Sequence, residues 1–400
     1  MDVFVARLPV FEGDKVVLGY ELVFRSDFQD YYKAAQAHKA TVDLMAFVNF
    51  NELTDGKRGF VDFSKELLMM EFPLLFSAES MIASLPADMP VDDDVLERVK
   101  DLKTRGYTIA LSNFTVESLQ SPLASLASIV KLETSLLTSQ EQKRICAMCK
   151  SLGVKVLARG IVLPEQLKVA TGLGYDYFQG EFFSKPVVTP SREIGANQLI
   201  CLRLLQEVNQ AELSYDKVAA VIQQDVSMTY RLLKLINSAW AGLRYEVRSV
   251  RHALVLLGPI EIKRWASLLA VNQAGQDKPT ELLRLSLTRA KFAEQLALLA
   301  GMKRQAPELF LVGMFSVLDA LIDQPMGQIL SEVALGENVK SALLGGTGEY
   351  KVVYETMLAY EHAQWPLFAD LAATMGIAES AVPDLFRQSL TWANQAMQLQ

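Results

Sequence analysis

Between residues 59 and 180, short apolar runs recur at regular intervals, separated by stretches with helical spacing, and this alternation constrains the fold most strongly. Gly59-Phe-Val-Asp-Phe-Ser64, Ser80-Met-Ile-Ala-Ser-Leu85, Tyr107-Thr-Ile-Ala-Leu-Ser112, Ile129-Val-Lys-Leu-Glu133, Val154-Lys-Val-Leu-Ala158 and Tyr177-Phe-Gln-Gly180 read as strands. Helices are predicted over 92–105, 116–126, 140–153 and 164–174. Asp92-Asp-Asp opens the first of these with acidic residues in its first turn, and Gly106 ends it. Strand and helix in steady alternation argue for parallel βα units. Two more strands are expected over 1–12 and 16–25 around the turn at 12–15, and a helix over 31–53.

The chain of 400 residues is long enough for two or three cores. Its net charge is -7, with 20 basic and 25 acidic residues in 1–190 and 19 and 21 in the remainder. Neither half offers the basic surface on which non-specific nucleic-acid binding rests, so no nucleic-acid partner is expected. No apolar run reaches the roughly 18 residues of a membrane span, and the N-terminus lacks a signal-peptide pattern; the expected location is the cytoplasm, with no membrane partner. Three cysteines make no disulfide framework. Cys146 and Cys149 form a Cys-x-x-Cys inside a helical stretch, where zinc would need two further ligands. Ordinary helix positions are the plainer reading. His38, His252 and His362 are scattered.

Val17-Leu-Gly-Tyr-Glu-Leu-Val-Phe-Arg25 alternates like a strand, and the even spacing of Glu21 and Arg25 places both on one face. Such a pair at a strand end can hold a metal and a phosphate, or can be an ordinary salt-bridged strand. The run Glu-Leu-Val-Phe-Arg resembles the Glu-Ala-Leu-x-Arg signature of EAL domains, bacterial phosphodiesterases that linearise cyclic di-GMP. Leu173-Gly-Tyr-Asp-Tyr and Tyr177-Phe-Gln-Gly-Glu-Phe-Phe-Ser-Lys-Pro186 are similar to that family's closing segment. The resemblance covers nearly all of 1–188 and implies a (β/α) barrel with site residues at the C-terminal strand ends.

It also implies where the family's chemistry has been altered. Glu21, Lys131 and Gln179 remain, as catalytic remnants. Asp62 stands where the family's strand ends in Asn, keeping an oxygen. The next acidic position falls near Ser84, the paired Asp-Asp becomes Ser112-Asn113, and the Ala-Glu-Gly-Val-Glu stretch becomes Ala158-Arg-Gly-Ile-Val162. Ser84, Ser112, Asn113 and Val162 thus mark lost metal-ligand positions, and Arg159 puts a fixed cation where a dication would bind. The expectation is a barrel that holds no metal and is not an enzyme. Arg25, Asp62 and Arg159 are the residues that would meet a ligand if one binds. Mg2+ or Mn2+ enters only if the site still hydrolyses cyclic di-GMP.

Residues 189–196 read as a linker and 197–400 as almost wholly helical. Helices are expected over 197–207, 214–224, 227–237, 247–257, 260–272 and 382–399, with Gly258-Pro259 closing the fourth. Asp225-Val-Ser-Met-Thr-Tyr-Arg-Leu-Leu-Lys-Leu-Ile-Asn-Ser-Ala239 and Val250-Arg-His-Ala-Leu-Val-Leu-Leu-Gly258 resemble two stretches of the HDOD domain, a helical relative of the HD phosphohydrolases. Where the His-Asp pair of those enzymes would fall, the chain has Ser316-Val317. Trp240, Trp265, Trp365 and Trp392 read as packing residues; Asn237 is a helix end or part of a groove, and the last helix a lid or a docking surface.

The whole resembles bacterial signalling proteins of the YuxH type, an EAL domain followed by an HDOD domain. Read this way, the fold is α/β plus all-α and the function is that of a non-catalytic scaffold or adaptor in cyclic di-GMP signalling. Its partner would be another signalling protein, engaged through the HDOD half. A phosphodiesterase of low activity and a cyclic di-GMP sensor without hydrolysis are the alternatives.

Overall fold

Eight strands close into a barrel whose neighbours follow chain order: β1 Val5–Glu12, β2 Val17–Phe24, β3 Arg58–Asp62, β4 Met81–Pro86, β5 Thr108–Ser112, β6 Ile129–Glu133, β7 Lys155–Arg159 and β8 Tyr177–Gln179. The structure is a computed structural model and describes residues 4–13, 15–25, 50–186, 196–210, 212–224, 228–232, 249–275, 278–333 and 335–398. β1 runs antiparallel to both β2 and β8, and every other neighbouring pair is parallel. The described residues divide into two compact units. One lies within Met1–Lys185, Leu358–Asp370 and Glu379–Thr391; the other lies within Pro186–Met357, Leu371–Ala378 and Trp392–Gln400. The stretch expected to be one helical body, 197–400, is thus shared between them.

Inside the barrel Val10, Phe60, Ile82, Ala110, Ile129 and Leu157 form a buried apolar layer. Successive strand residues face opposite sides, so the next inward position lies two residues along each strand. Toward the C-terminal strand ends this gives Asp62, Ser84, Ser112, Lys131 and Arg159. The register sets Asp62 level with Ser84 but Glu21 level with Phe60 and Lys131 level with Leu157, so the polar positions are staggered from strand to strand around the barrel. An apolar floor therefore carries a polar layer at the mouth, the end where barrels of this kind place their sites.

Local chemistry explains the connections. Asp92 caps Asp93–Thr104 by accepting from the Val95 N–H at 2.9 Å. Thr138 and Glu141 cap Ser139–Ser151 reciprocally. The helix expected over 116–126 is instead two 3-10 turns, Glu117–Gln120 and Pro122–Ser125. Pro122 lacks an N–H and disfavours helical backbone at the preceding residue; Ser121 is accordingly extended (φ -68°, ψ 137°). Of the helix expected over 31–53, only residues 50–53 lie among those described, and they fall in the helix Phe50–Thr54.

In the second unit Ala196–Val208, Tyr215–Ile222, Val250–Ala274, Thr280–Leu299 and Ala306–Phe315 are helical. Leu204, Ile222, Leu254, Leu287, Leu296, Val312 and Phe315 are buried in it. The third of these helices joins the two expected segments across a kink at Gly258 (φ 75°, ψ 168°), beside Pro259. Gly313 lets two helices touch: a Cβ there would lie 2.2 Å from the Arg289 carbonyl oxygen. Residues 189–195 of the expected linker 189–196, His38, Asn237, Trp240 and most of the first HDOD-like stretch lie outside the described residues, and Ala196 opens a helix. Among the described residues no helix is long and apolar enough to cross a membrane.

Candidate functional site

β2, β3, β6, β7 and β8 each send one charged or polar side chain into the mouth, and five of these join in one network. Lys131 Nζ donates to Glu21 Oε1 at 2.6 Å and to Asp62 Oδ1 at 3.1 Å. Gln179 Nε2 donates to Glu21 Oε2 at 2.8 Å, and Arg159 Nη2 lies 3.4 Å from the same oxygen. Arg159 Nε donates to Gln179 Oε1 at 3.0 Å, closing the chain of contacts. Two carboxylates meet two cations, so the cluster carries no net charge.

Its two ends differ in exposure. The Glu21 and Lys131 side chains are 2% and 1% exposed, whereas Arg159 and Asp62 are 26% and 56% exposed. Burial opposes ionisation of Glu21, but the charges of Lys131 and Arg159 outweigh it and hold its pKa at about 2. Burial likewise opposes the Lys131 charge, and Glu21 and Asp62 overcome this to raise its pKa. Beneath the ammonium lies the Phe60 ring, 5.7 Å from Nζ to centroid. Gly180, which follows Gln179, has φ 145°, and a Cβ there would stand 2.1 Å from the Ile161 carbonyl oxygen. Only glycine fits this turn beside the network.

The remaining expected positions are placed as follows. Ser84 is fully buried, and among the described residues its hydroxyl meets no hydrogen-bonding partner. Ser112 Oγ donates to the Leu85 carbonyl at 3.3 Å. Asn113 adopts a left-handed backbone (φ 53°), and Val162 is exposed on the loop after β7. Among the described residues no group of three or more His, Cys, Asp or Glu side chains is placed to hold a metal ion.

Arg25 stands apart from the network. It follows the last residue of β2, its guanidinium lies 4.9 Å over the Phe4 ring, and its Nη1 pairs with Glu379 Oε2. Sequence reasoning did not find Glu379, which comes from 354 positions away with no motif around it. In the second unit Ser316 ends the helix Ala306–Phe315, donates to the Gly313 carbonyl at 2.7 Å and accepts from Arg289 Nη1 at 3.1 Å. Val317 is buried.

The EAL domain model matches residues 22–186 and the HDOD domain model residues 198–332. The chain is 30% identical over 409 residues to the uncharacterised protein YuxH of Bacillus subtilis (strain 168), covering 99% of each chain. It is 29% identical over 369 residues to the cyclic di-GMP phosphodiesterase CdgJ of Vibrio cholerae, covering 90% of this chain and 85% of that one. Among solved structures it is similar to the EAL-domain protein YkuI of Bacillus subtilis in complex with c-di-GMP and calcium, at 17% identity and a TM-score of 0.38 over 56% of this chain and 72% of that one. An EAL-domain protein of Listeria monocytogenes matches at 18% identity and a TM-score of 0.36, over 46% and 87%. The chain belongs to the YuxH-like family of signalling proteins, in which an EAL barrel is followed by an HDOD domain.

Proposed function

We propose that this protein is a non-catalytic adaptor of cyclic di-GMP signalling, working in the cytoplasm through contacts with another signalling protein. The observation that carries this reading is the engagement of Glu21. One of its oxygens is taken by Lys131, the other by Gln179 and Arg159. A divalent cation at the mouth would meet carboxylates already neutralised by the chain's own cations, and a nearby guanidinium opposes it by several kcal/mol. Ser84, Ser112 and Val162 add no charge in compensation. The donor set does not fit the metal pair that phosphodiester hydrolysis requires. In the helical unit, Ser316 and Val317 likewise offer no His-Asp pair, which supports an interaction role for the HDOD half.

A second reading is hydrolysis at a low rate with Mg2+ or Mn2+. It is favoured by the convergence of Glu21, Lys131 and Gln179 in one network and by the likeness to CdgJ. Binding without hydrolysis, with Arg159 and Asp62 as the exposed contacts, lies between the two. Calorimetric titration of cyclic di-GMP with Mg2+, followed by chromatography of the products, separates them. Absence of both heat and linear product supports the adaptor. Linear product that disappears in Glu21→Ala overturns it, and heat without product makes the barrel a sensor.

A further inference from the structure

The rim of the barrel beside Glu21 is built partly from the far end of the chain. β1 runs antiparallel to β2, with Val5 opposite Phe24, so Phe4 and Arg25 lie together where β2 ends. Phe4 stacks edgewise on Trp365 and packs on Phe368, at ring distances of 6.4 and 6.2 Å. Tyr360 binds these together, 5.4 Å from Trp365, 5.2 Å from Phe368 and 5.0 Å from Phe386. At the end of β8, His362 Nε2 comes within 3.9 Å of Glu181 Oε1, two residues past Gln179. The segments 358–370 and 379–391 thus pack as part of the barrel unit, and Glu379 meets Arg25 from within it.

We propose that Arg25 is an anion site filled from inside by Glu379, and that a phosphodiester entering the mouth has to displace this carboxylate. A guanidinium presents the same fork to a carboxylate and to a phosphate, so the two are interchangeable occupants. The pair is partly exposed, with side chains 30% and 35% open to solvent, and pairs so placed are held weakly. The aromatic cluster, not the ion pair, keeps the returning segment in place. Glu379 can therefore leave Arg25 without unfolding the unit. Occupancy of the mouth is then registered by the segment that carries Glu379, which gives a barrel without turnover a means of responding to nucleotide. This rests on the non-catalytic reading only for the fate of the ligand, because displacement requires binding and not hydrolysis.

The test is calorimetric titration of cyclic di-GMP into the full chain and into Glu379→Gln, with Glu337→Gln, an exposed acid of the other unit, as the charge control. Glu379→Gln is expected to bind at least fivefold more tightly than wild type, and Glu337→Gln to match wild type. Hydrogen exchange of the unaltered protein gives a second readout, with saturating nucleotide expected to speed exchange in 379–386. Equal affinity for wild type and Glu379→Gln, or none for either, overturns the proposal, as does unchanged exchange under saturation. Chromatography of the same samples addresses turnover separately, so failure of the anion-site proposal and failure of the non-catalytic reading are told apart.

Discussion

The Lys131 ammonium lies 2.6 Å from Glu21 Oε1, with both side chains sealed from water in the upper layer of the barrel. Removing one member of such a pair strands the other in a low-dielectric interior. Lys131→Met is expected to lower unfolding free energy by about 3–5 kcal/mol, measured as the urea midpoint at neutral pH. A loss no larger than that of an ordinary surface substitution would show that Arg159 and Gln179 hold Glu21 unaided.

Acid should expose the same network. The pKa of Glu21 is about 2 in the folded chain against its ordinary 4.5, so its ionised form favours folding. That contribution is present above the unfolded value and is lost as pH falls from about 4.5 toward about 2. Its size is on the order of 3 kcal/mol. Stability measured across this window should fall less steeply in Glu21→Gln than in wild type, and parallel curves would count against the assignment.

Ser84 gives a prediction of opposite sign. Its buried hydroxyl has no partner among the described residues, and a buried polar group left unpaired is destabilising. Ser84→Ala should therefore be neutral or stabilising by up to about 1 kcal/mol in urea unfolding. A clear destabilisation would indicate a hydrogen bond, to water for instance, that the hydroxyl makes in solution.

The two thiols of the Cys-x-x-Cys should be inert in the folded protein. Burial pushes the Cys146 thiol up to about 12, with Cys149 adding to the effect, and the Cys149 thiol up to about 11. Alkylation by iodoacetamide at mildly alkaline pH should require unfolding at both positions, as mass spectrometry of the labelled peptides would record. Rapid labelling of the native chain would contradict this.

The barrel was legible because each strand is a short apolar run bounded by caps and turns, as at Asp92 and Thr138. The charge at each candidate position was legible from residue type alone: an arginine at 159 or a serine at 84 declares it without coordinates. Pairing was not. Nothing local shows that Lys131 would span both Glu21 and Asp62, since that follows from register between strands distant in sequence. Residues 116–126 show the converse failure, where helical spacing of apolar residues concealed what Pro122 forbids. The partner of Arg25 was invisible, because Glu379 sits in no motif and finds its place through the aromatic packing of Phe4, Tyr360 and Trp365.

The returning segment also bears on how the chain is made. The contact between Arg25 and Glu379 closes a loop of 354 positions, and most residues of the second unit are synthesised in the interval. At about 5–20 residues per second, an emerging barrel waits tens of seconds on the ribosome before Glu379 is available. During that time the Phe4 face and the Arg25 rim are open to solvent and to other nascent chains. Vectorial folding can build the eight strands early, but the barrel unit becomes whole only once the segments 358–370 and 379–391 have been made.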